Sequence, residues 1–384
     1  MINYQELEQK YELGTYPKRD VTIVKGENDI VWDDSGRKYI DCVGGFGVAN
    51  LGHGNQTILQ AIREQSEKLI TCPGIFHNDA RALLLEKLVK VSPKSLQRAF
   101  LCNSGTETIE AAIKFSRLSS GKTEMICAMR SFHGRTFGAL SATFNSKYKD
   151  GFQPLVPGFR FAPFNNFEKL QKLVNTNTAA ILLEIVQGEG GINIGKKEYF
   201  QNVQNLCKEE NILFIIDEVQ TGFGRTGRLF ACEHFDLAPD MLCLAKSIAG
   251  GIPMGAVLCS DRVEVEPGKH GSTFGGNPLA CAASLAAIDF ILEKKLYKQA
   301  EDKGNYFIEE MRKHEFPVVR EIRQIGLMIG IELKEKCKPY ILKLMDEGVL
   351  TFPAGTTVIR LLPPLTIEYR NLEKVIKILI KLLK

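Results

Sequence analysis

The sequence predicts an α/β protein: a large domain around a mostly parallel sheet, followed by a smaller α+β domain. Three observations predict it. Between about residues 98 and 260, strand-sized apolar runs alternate with stretches whose apolar residues recur at helical spacing. The runs are continuous rather than alternating, as in strands covered by helices on both faces. After about residue 278 the texture changes, and 384 residues exceed one ordinary core.

The elements follow in order. Residues 1–40 carry β-like pieces at 21–25 and 30–33, separated from the central sheet and expected to pack with the C-terminal unit. The large domain is placed at 41–277, with strands at 98–102, 124–129, 179–184, 212–216, 241–245 and 256–259 and helices at 107–119 and 198–211. The small domain is placed at 278–384. An Ala-rich helix at 278–293 opens it, strands follow at 318–321, 328–332 and 357–361, and an amphipathic helix at 372–384 closes it.

Composition narrows the class of function. The chain is 44% hydrophobic and 24% charged, ordinary for a globular protein. Its apolar runs are far shorter than a membrane span. The start, Met1-Ile2-Asn3-Tyr4-Gln5-Glu6, lacks the basic and apolar regions of a signal peptide, so a cytoplasmic location is expected. A net charge of +4, with basic residues spread along the chain, gives no reason to expect nucleic acid. The ten cysteines never form a C-x-x-C pair and the six histidines do not cluster, so free thiols and no metal are expected.

Asp217 closes the run 212–216, and Lys246 closes the run 241–245. If both strands lie in one parallel sheet, carboxylate and amine emerge at the edge where open α/β sheets place their ligands. Pyridoxal phosphate needs that pair. The amine forms a Schiff base, and the anion keeps the pyridine nitrogen protonated and electron-withdrawing.

Other segments supply candidate parts of the same site. Asn103-Ser104-Gly105-Thr106-Glu107 follows a strand and opens a helix, which makes an anion cradle, although Ser104 and Thr106 also serve as plain N-caps. In Ser131-Phe132-His133-Gly134-Arg135-Thr136, Phe132 can stack on a flat cofactor or fill a core, and Arg135 suits a carboxylate clamp or a surface. Asp217-Glu218-Val219-Gln220 adds Gln220, whose amide can reach a phenolic oxygen. A buried Asp217 requires a partner. Glu189, on the Gly188–Gly191 loop, can pair with Arg360 and release it to a substrate carboxylate; ordinary surface charges are the alternative. The stretch 271–278, with Ser272 and Thr273, is either a turn or a second phosphate contact. Gly222-Phe223-Gly224-Arg225-Thr226-Gly227 fits G-x-G-x-x-G by letter only. It does not follow a strand directly, and no clear helix opens after it, which argues against a nicotinamide oxidoreductase.

Taken together, these segments resemble the class III aminotransferases, pyridoxal-phosphate enzymes of fold type I. The motifs are NSGTE at 103–107, SFHGRT at 131–136, QGEGG at 187–191, DEVQTGFGRTG at 217–227, AKSIAGG at 245–251 and STFGGNPLA at 272–280. They span most of the chain in the family's order. Within the family, the chain is most similar to the acetylornithine aminotransferase group, through FHGRT, STFGGNPLA and VIRLLPPL at 358–365.

The resemblance implies a homodimer, and a role for each of these residues. Lys246 would carry the cofactor and shuttle the proton. Asp217 would hold the ring nitrogen, with Glu218 and Val219 beside it, Gln220 on the ring oxygen and Phe132 stacked on the ring. Gly105 and Thr106 would hold the phosphate, with Thr273 from the second subunit. Arg135 and Ser272 would grip the blocked ornithine, and Arg360, released by Glu189, would grip glutamate or 2-oxoglutarate. The implied reaction moves the distal amine of N-acetylornithine, or a similarly blocked ornithine or lysine, to 2-oxoglutarate in arginine or lysine biosynthesis.

The chain departs from the group's pattern at Thr108-Ile109, where Ala-Asn is usual, and at Ile185, where Pro is common. LITCPGIF at 69–76 and REIRQIGLMIGIELKEK at 320–336 resemble the lysine-biosynthesis branch, whose substrates ride on a small acidic amino-group carrier protein. Aminotransfer from free ornithine or γ-aminobutyrate and semialdehyde aminomutation are the alternatives within the fold. An aminomutase has no use for Arg135, Arg360 and Glu189 together.

Overall fold

A computed structural model of the protein describes residues 2–384. The chain opens with a short helix, Tyr4–Tyr11, and an antiparallel meander of β1 (Ile23–Glu27), β2 (Ile30–Asp33) and β3 (Lys38–Asp41). Two helices, Gln56–Lys68 and Asp79–Val91, follow and pack against the later helix Pro278–Glu293. Next come β4 (Arg98–Cys102), β5 (Glu124–Ala128), β6 (Phe159–Ala162) and β7 (Thr178–Glu184). A small hairpin of β8 (Val186–Gln187) and β9 (Asn193–Ile194) precedes β10 (Leu213–Asp217), β11 (Met241–Leu244) and β12 (Gly255–Cys259). The last third holds β13 (Val319–Ile325), β14 (Met328–Leu333), β15 (Val349–Leu350), β16 (Phe352–Ala354) and β17 (Val358–Leu361), and ends in the helix Tyr369–Leu383.

The central sheet has the order β4-β12-β11-β10-β7-β5-β6. Its neighbours are parallel except at β12, which runs antiparallel to both β11 and β4. Two reversals restore direction, so β4 points the same way as β11. The carboxyl ends of β4, β5, β7, β10 and β11 therefore share one edge.

Continuous apolar runs fit this sheet because both faces are buried. On β10, Phe214 and Ile216 join one core while Leu213 and Ile215 join the other. Burying one such side chain contributes about 1.5–3 kcal/mol. Alternate residues thus stabilise opposite layers, which leaves no polar face to break the pattern.

The smaller sheets lie outside this one. β13-β14-β17-β16 form an antiparallel sheet, and β15 joins β3 in parallel, pairing Val349 with Ile40. The edge strand β6 was not expected from sequence, because Phe-Arg-Phe-Ala is short and only half buried. The segment 222–227 opens no α-helix; a short 3-10 turn, Ala231–Phe235, follows it. Arg225 within it is fully buried and donates to Leu327 O (3.0 Å), Pro363 O (2.6 Å) and Asn50 Oδ1.

Candidate active site

The shared strand edge opens into a cavity of about 310 Å³. It gathers Gly105, Thr106, Phe132, Arg135, Glu189, Asp217, Val219, Gln220 and Lys246, which lie far apart in sequence. Register explains the meeting. Asp217 is opposite Cys243 on β11, three residues before Lys246, and opposite Glu184 on β7.

Lys246 begins the 3-10 turn Lys246–Ala249 with φ 49°, left-handed backbone that a side chain adopts at a cost. Burial lowers its amine from the usual lysine range to about 8, partly offset by the charge of Glu189. Roughly a tenth is therefore unprotonated at pH 7, far more than for an ordinary lysine, as a nucleophile or proton acceptor requires.

The partner of Asp217 is an imidazole. His133 Nδ1 lies 2.7 Å from Asp217 Oδ2, and the Val219 N–H donates to Oδ1 at 3.0 Å. His133 Nε2 is buried without a partner. Sequence reasoning gave His133 no role, although it sits between Phe132 and Arg135.

The helix Gly105–Ser120 presents its N-terminus to the cavity. Ser104 caps it, exchanging bonds with Glu107, while the first-turn N–H groups of Gly105 and Thr106 have no intrahelical acceptor. A Cβ on Gly105 would stand 2.6 Å from Val219 Cγ1, so close packing against Val219 demands glycine there. Thr106 Oγ1 is 2.7 Å from Thr136 Oγ1, which donates to Glu110 Oε1 at 2.5 Å. Glu110 also accepts the N–H groups of Gly138 and Ala139, so it anchors this corner.

Glu189 sits on the tip between β8 and β9, where Arg360 Nη2 meets its Oε1 at 2.5 Å. Arg360, on β17, also approaches Gln220 Oε1 at 3.4 Å and lies over the Phe352 ring at 4.0 Å. Tyr148 contacts two other site residues: its ring lies 5.3 Å from the Arg135 guanidinium and meets Phe132 edge-on at 5.4 Å.

Four expected site residues do not line this cavity. Arg360 touches Glu189 and Gln220, which do line it. Glu218 turns away, and its buried carboxyl, pushed up to about 7 by burial, accepts the N–H groups of Ala231 (2.6 Å) and Cys232 (2.8 Å). It shapes the loop instead of touching a ligand. Ser272 accepts from Asn103 Nδ2 (3.1 Å) and the Gly275 N–H (3.0 Å), and Thr273 is exposed. Both belong to the loop before the helix Pro278–Glu293.

The cavity's donor set fits pyridoxal phosphate. It offers one partly unprotonated amine, a carboxylate anchored by histidine, helix-terminal N–H groups for a phosphate, an amide, and apolar walls from Phe132 and Val219.

Such a cavity at the carboxyl edge of this sheet defines a pyridoxal-phosphate-dependent transferase. Residues 15–383 match the Aminotransferase class-III family, and the chain belongs to it. It is 45% identical to the [LysW]-aminoadipate semialdehyde transaminase of Deinococcus radiodurans, over 96% of this chain and 87% of that protein. It is 43% identical to the acetylornithine aminotransferase of Methanocaldococcus jannaschii, over 98% and 97%. Among solved structures, the ornithine aminotransferase of Toxoplasma gondii ME49 superposes with a TM-score of 0.95 at 32% identity, covering 99% of this chain and 94% of that one. The acetylornithine aminotransferase of Elizabethkingia anophelis gives 0.89 at 35% identity, covering 99% and 98%. The protein is therefore an aminotransferase that depends on pyridoxal phosphate.

Proposed function

We propose that this aminotransferase moves the distal amine of N-acetylornithine, or a similarly blocked ornithine or lysine, to 2-oxoglutarate, giving a semialdehyde and glutamate. One observation carries the reading: Glu189, which lines the cavity with Arg135 and Lys246, holds the buried Arg360 beside it. Two arginines, one of them masked by a releasable carboxylate, suit an enzyme that takes an ω-amine in one half-reaction and an α-amine in the other.

Bound pyridoxal phosphate supplies a carbonyl for the amine and an electron-withdrawing ring that acidifies the adjacent C–H. Lys246 Nζ holds the cofactor and moves the proton at the amine-bearing carbon. Asp217, fixed by His133, holds a proton at the ring nitrogen, and Gln220 orients the ring oxygen. Gly105 and Thr106 anchor the phosphate, while Phe132 and Val219 exclude water from the ring. Arg135 binds the carboxylate of the blocked donor, and Glu189 keeps Arg360 neutralised meanwhile. When glutamate enters, its α-carboxylate displaces Glu189 and takes Arg360 bidentately.

The reading includes a homodimer. Thr273 is exposed and lies away from its own cavity, on a loop beside exposed Phe274. In the dimer it completes the partner's phosphate site, and Ser272 lies near the donor. The chain is read as residues 1–40, 41–277 and 278–384, the last part supplying Arg360, and as a cytoplasmic biosynthetic enzyme.

A second reading rests on the 45% identity to the Deinococcus radiodurans protein: the donor is carried by a small acidic amino-group carrier protein. One experiment separates the two. Purified yellow enzyme is titrated with N-acetylornithine without an acceptor. Bleaching supports the free blocked donor; persistent colour with it, and bleaching with a carrier-bound donor, selects the second reading.

A further inference from the structure

Glu184 ends β7 beside Asp217, its in-register neighbour on β10, and lines the cavity. Three acids thus face one small space: Glu184, Asp217 and Glu189. Asp217 is paired with His133 and Glu189 with Arg360. Among the described residues, Glu184 has no basic partner, yet it is only 9% exposed. What it holds is backbone: Oε2 accepts the Phe132 N–H at 3.1 Å, and the Gly188 backbone lies on the same cavity wall. That bond anchors the candidate stacking wall.

A buried carboxylate without a cation costs several kcal/mol, and a second carboxylate alongside adds to that cost. The charged or titratable groups around Glu184 are Asp217 with its partner His133, Glu189, Lys246, Arg135, Arg360 and the Cys127 thiol. Burial, then the charges of Asp217 and Glu189, push its carboxyl well above the usual carboxylate range, against the pull of the Phe132 N–H bond.

We propose that Glu184 is a positioning residue that keeps its own proton in the working enzyme, so that Glu189 is the one anion a substrate carboxylate must displace from Arg360. Ionised, Glu184 would repel the incoming α-carboxylate and give Arg360 a second internal anion. Protonated, it still accepts from the Phe132 N–H through its carbonyl oxygen. The inference rests on the proposed two-carboxylate function and adds a residue that sets the specificity of the glutamate half-reaction.

The test compares infrared spectra of the holoenzyme and Glu184→Gln near neutral pH, each in H2O and D2O. The native protein is expected to show a deuterium-sensitive carbonyl band of a protonated carboxyl group, and the variant to lack it. Identical spectra would overturn the proposal. The native KM for glutamate should also rise threefold or more on the alkaline side as that band disappears, and the glutamine variant should lack this rise. A native band that persists while KM rises, or a variant with the same rise, would overturn the specificity role. Glu218, also pushed up to about 7, adds a band of the same kind, so the band assigned to Glu184 is the one that Glu184→Gln lacks and Glu218→Gln keeps, and the second variant decides the matter if the first does not fold. The band is independent of the donor accepted, so its absence refutes protonated Glu184, whereas failure of every blocked donor to bleach the enzyme refutes the proposed function.

Discussion

Arg360 and Glu189 form an asymmetric pair: the arginine side chain is 1% exposed and the glutamate 27%. Arg360 is clamped over Phe352 within a paired strand, while Glu189 rides on the five-residue tip, 188–192, of a hairpin with two-residue strands. The half that moves is therefore the glutamate. Glu189→Ala is expected to slow the ω-amine half-reaction about tenfold or more, because the unmasked Arg360 then captures the donor's own carboxylate and misdirects its distal amine, while the glutamate half-reaction is largely retained. Single-turnover rates with each donor check this, and equal loss in both halves would refute the switch.

Lys246 has no neighbour able to replace its amine. Lys246→Ala should retain cofactor held by the phosphate cradle and Asp217, yet lose turnover by about 10³-fold or more. Cofactor content and steady-state rate, measured on one preparation, decide it. Near-normal activity would sink the assignment.

Burial sets the pH at which that amine becomes reactive. With a value of about 8 instead of the usual lysine value, the charged form is lost as pH rises through about 8. Recapture of pyridoxal phosphate by the apoenzyme should accelerate up to about pH 8 and then level off. A rate that climbs steadily towards pH 10 would show an unperturbed lysine.

The contact of His133 with Asp217 predicts a role in cofactor retention. Removing the imidazole leaves a buried carboxylate short of a partner, at about 1–3 kcal/mol. His133→Ala should weaken cofactor affinity about tenfold, and His133→Asn should recover part of it. Equilibrium dialysis gives the comparison; unchanged affinity in the alanine variant would detach His133 from the site.

Much of this architecture was legible because burial leaves a direct trace in sequence. The strand Arg98–Cys102 and the helix Pro278–Glu293 fall where the apolar pattern put them, and β10 and β11 are parallel neighbours, as Asp217 and Lys246 required. What escaped depends on pairing between distant segments. Glu184 reads as the end of a strand until register sets it beside Asp217, and His133 reads as a motif letter until its ring meets that carboxylate. Antiparallel β12 escaped for the same reason, since an apolar run has no direction. Glu218 was grouped with its neighbours, but successive strand-end residues face opposite ways, and its carboxyl serves the turn at Ala231.

The hydrogen bonds of Arg225 have a consequence for motion. Its guanidinium joins three stretches of chain, at Asn50, Leu327 and Pro363, with no carboxylate among its bonded partners. Swinging the C-terminal sheet away from the 217–227 loop would strip a permanently charged group of its acceptors in a dry interior, at a cost of several kcal/mol. Hinge opening at this seam is therefore disfavoured throughout the catalytic cycle. On the proposed reading, selection of substrates falls to a light element, the hairpin tip bearing Glu189, which would respond to each carboxylate without moving the body of the enzyme.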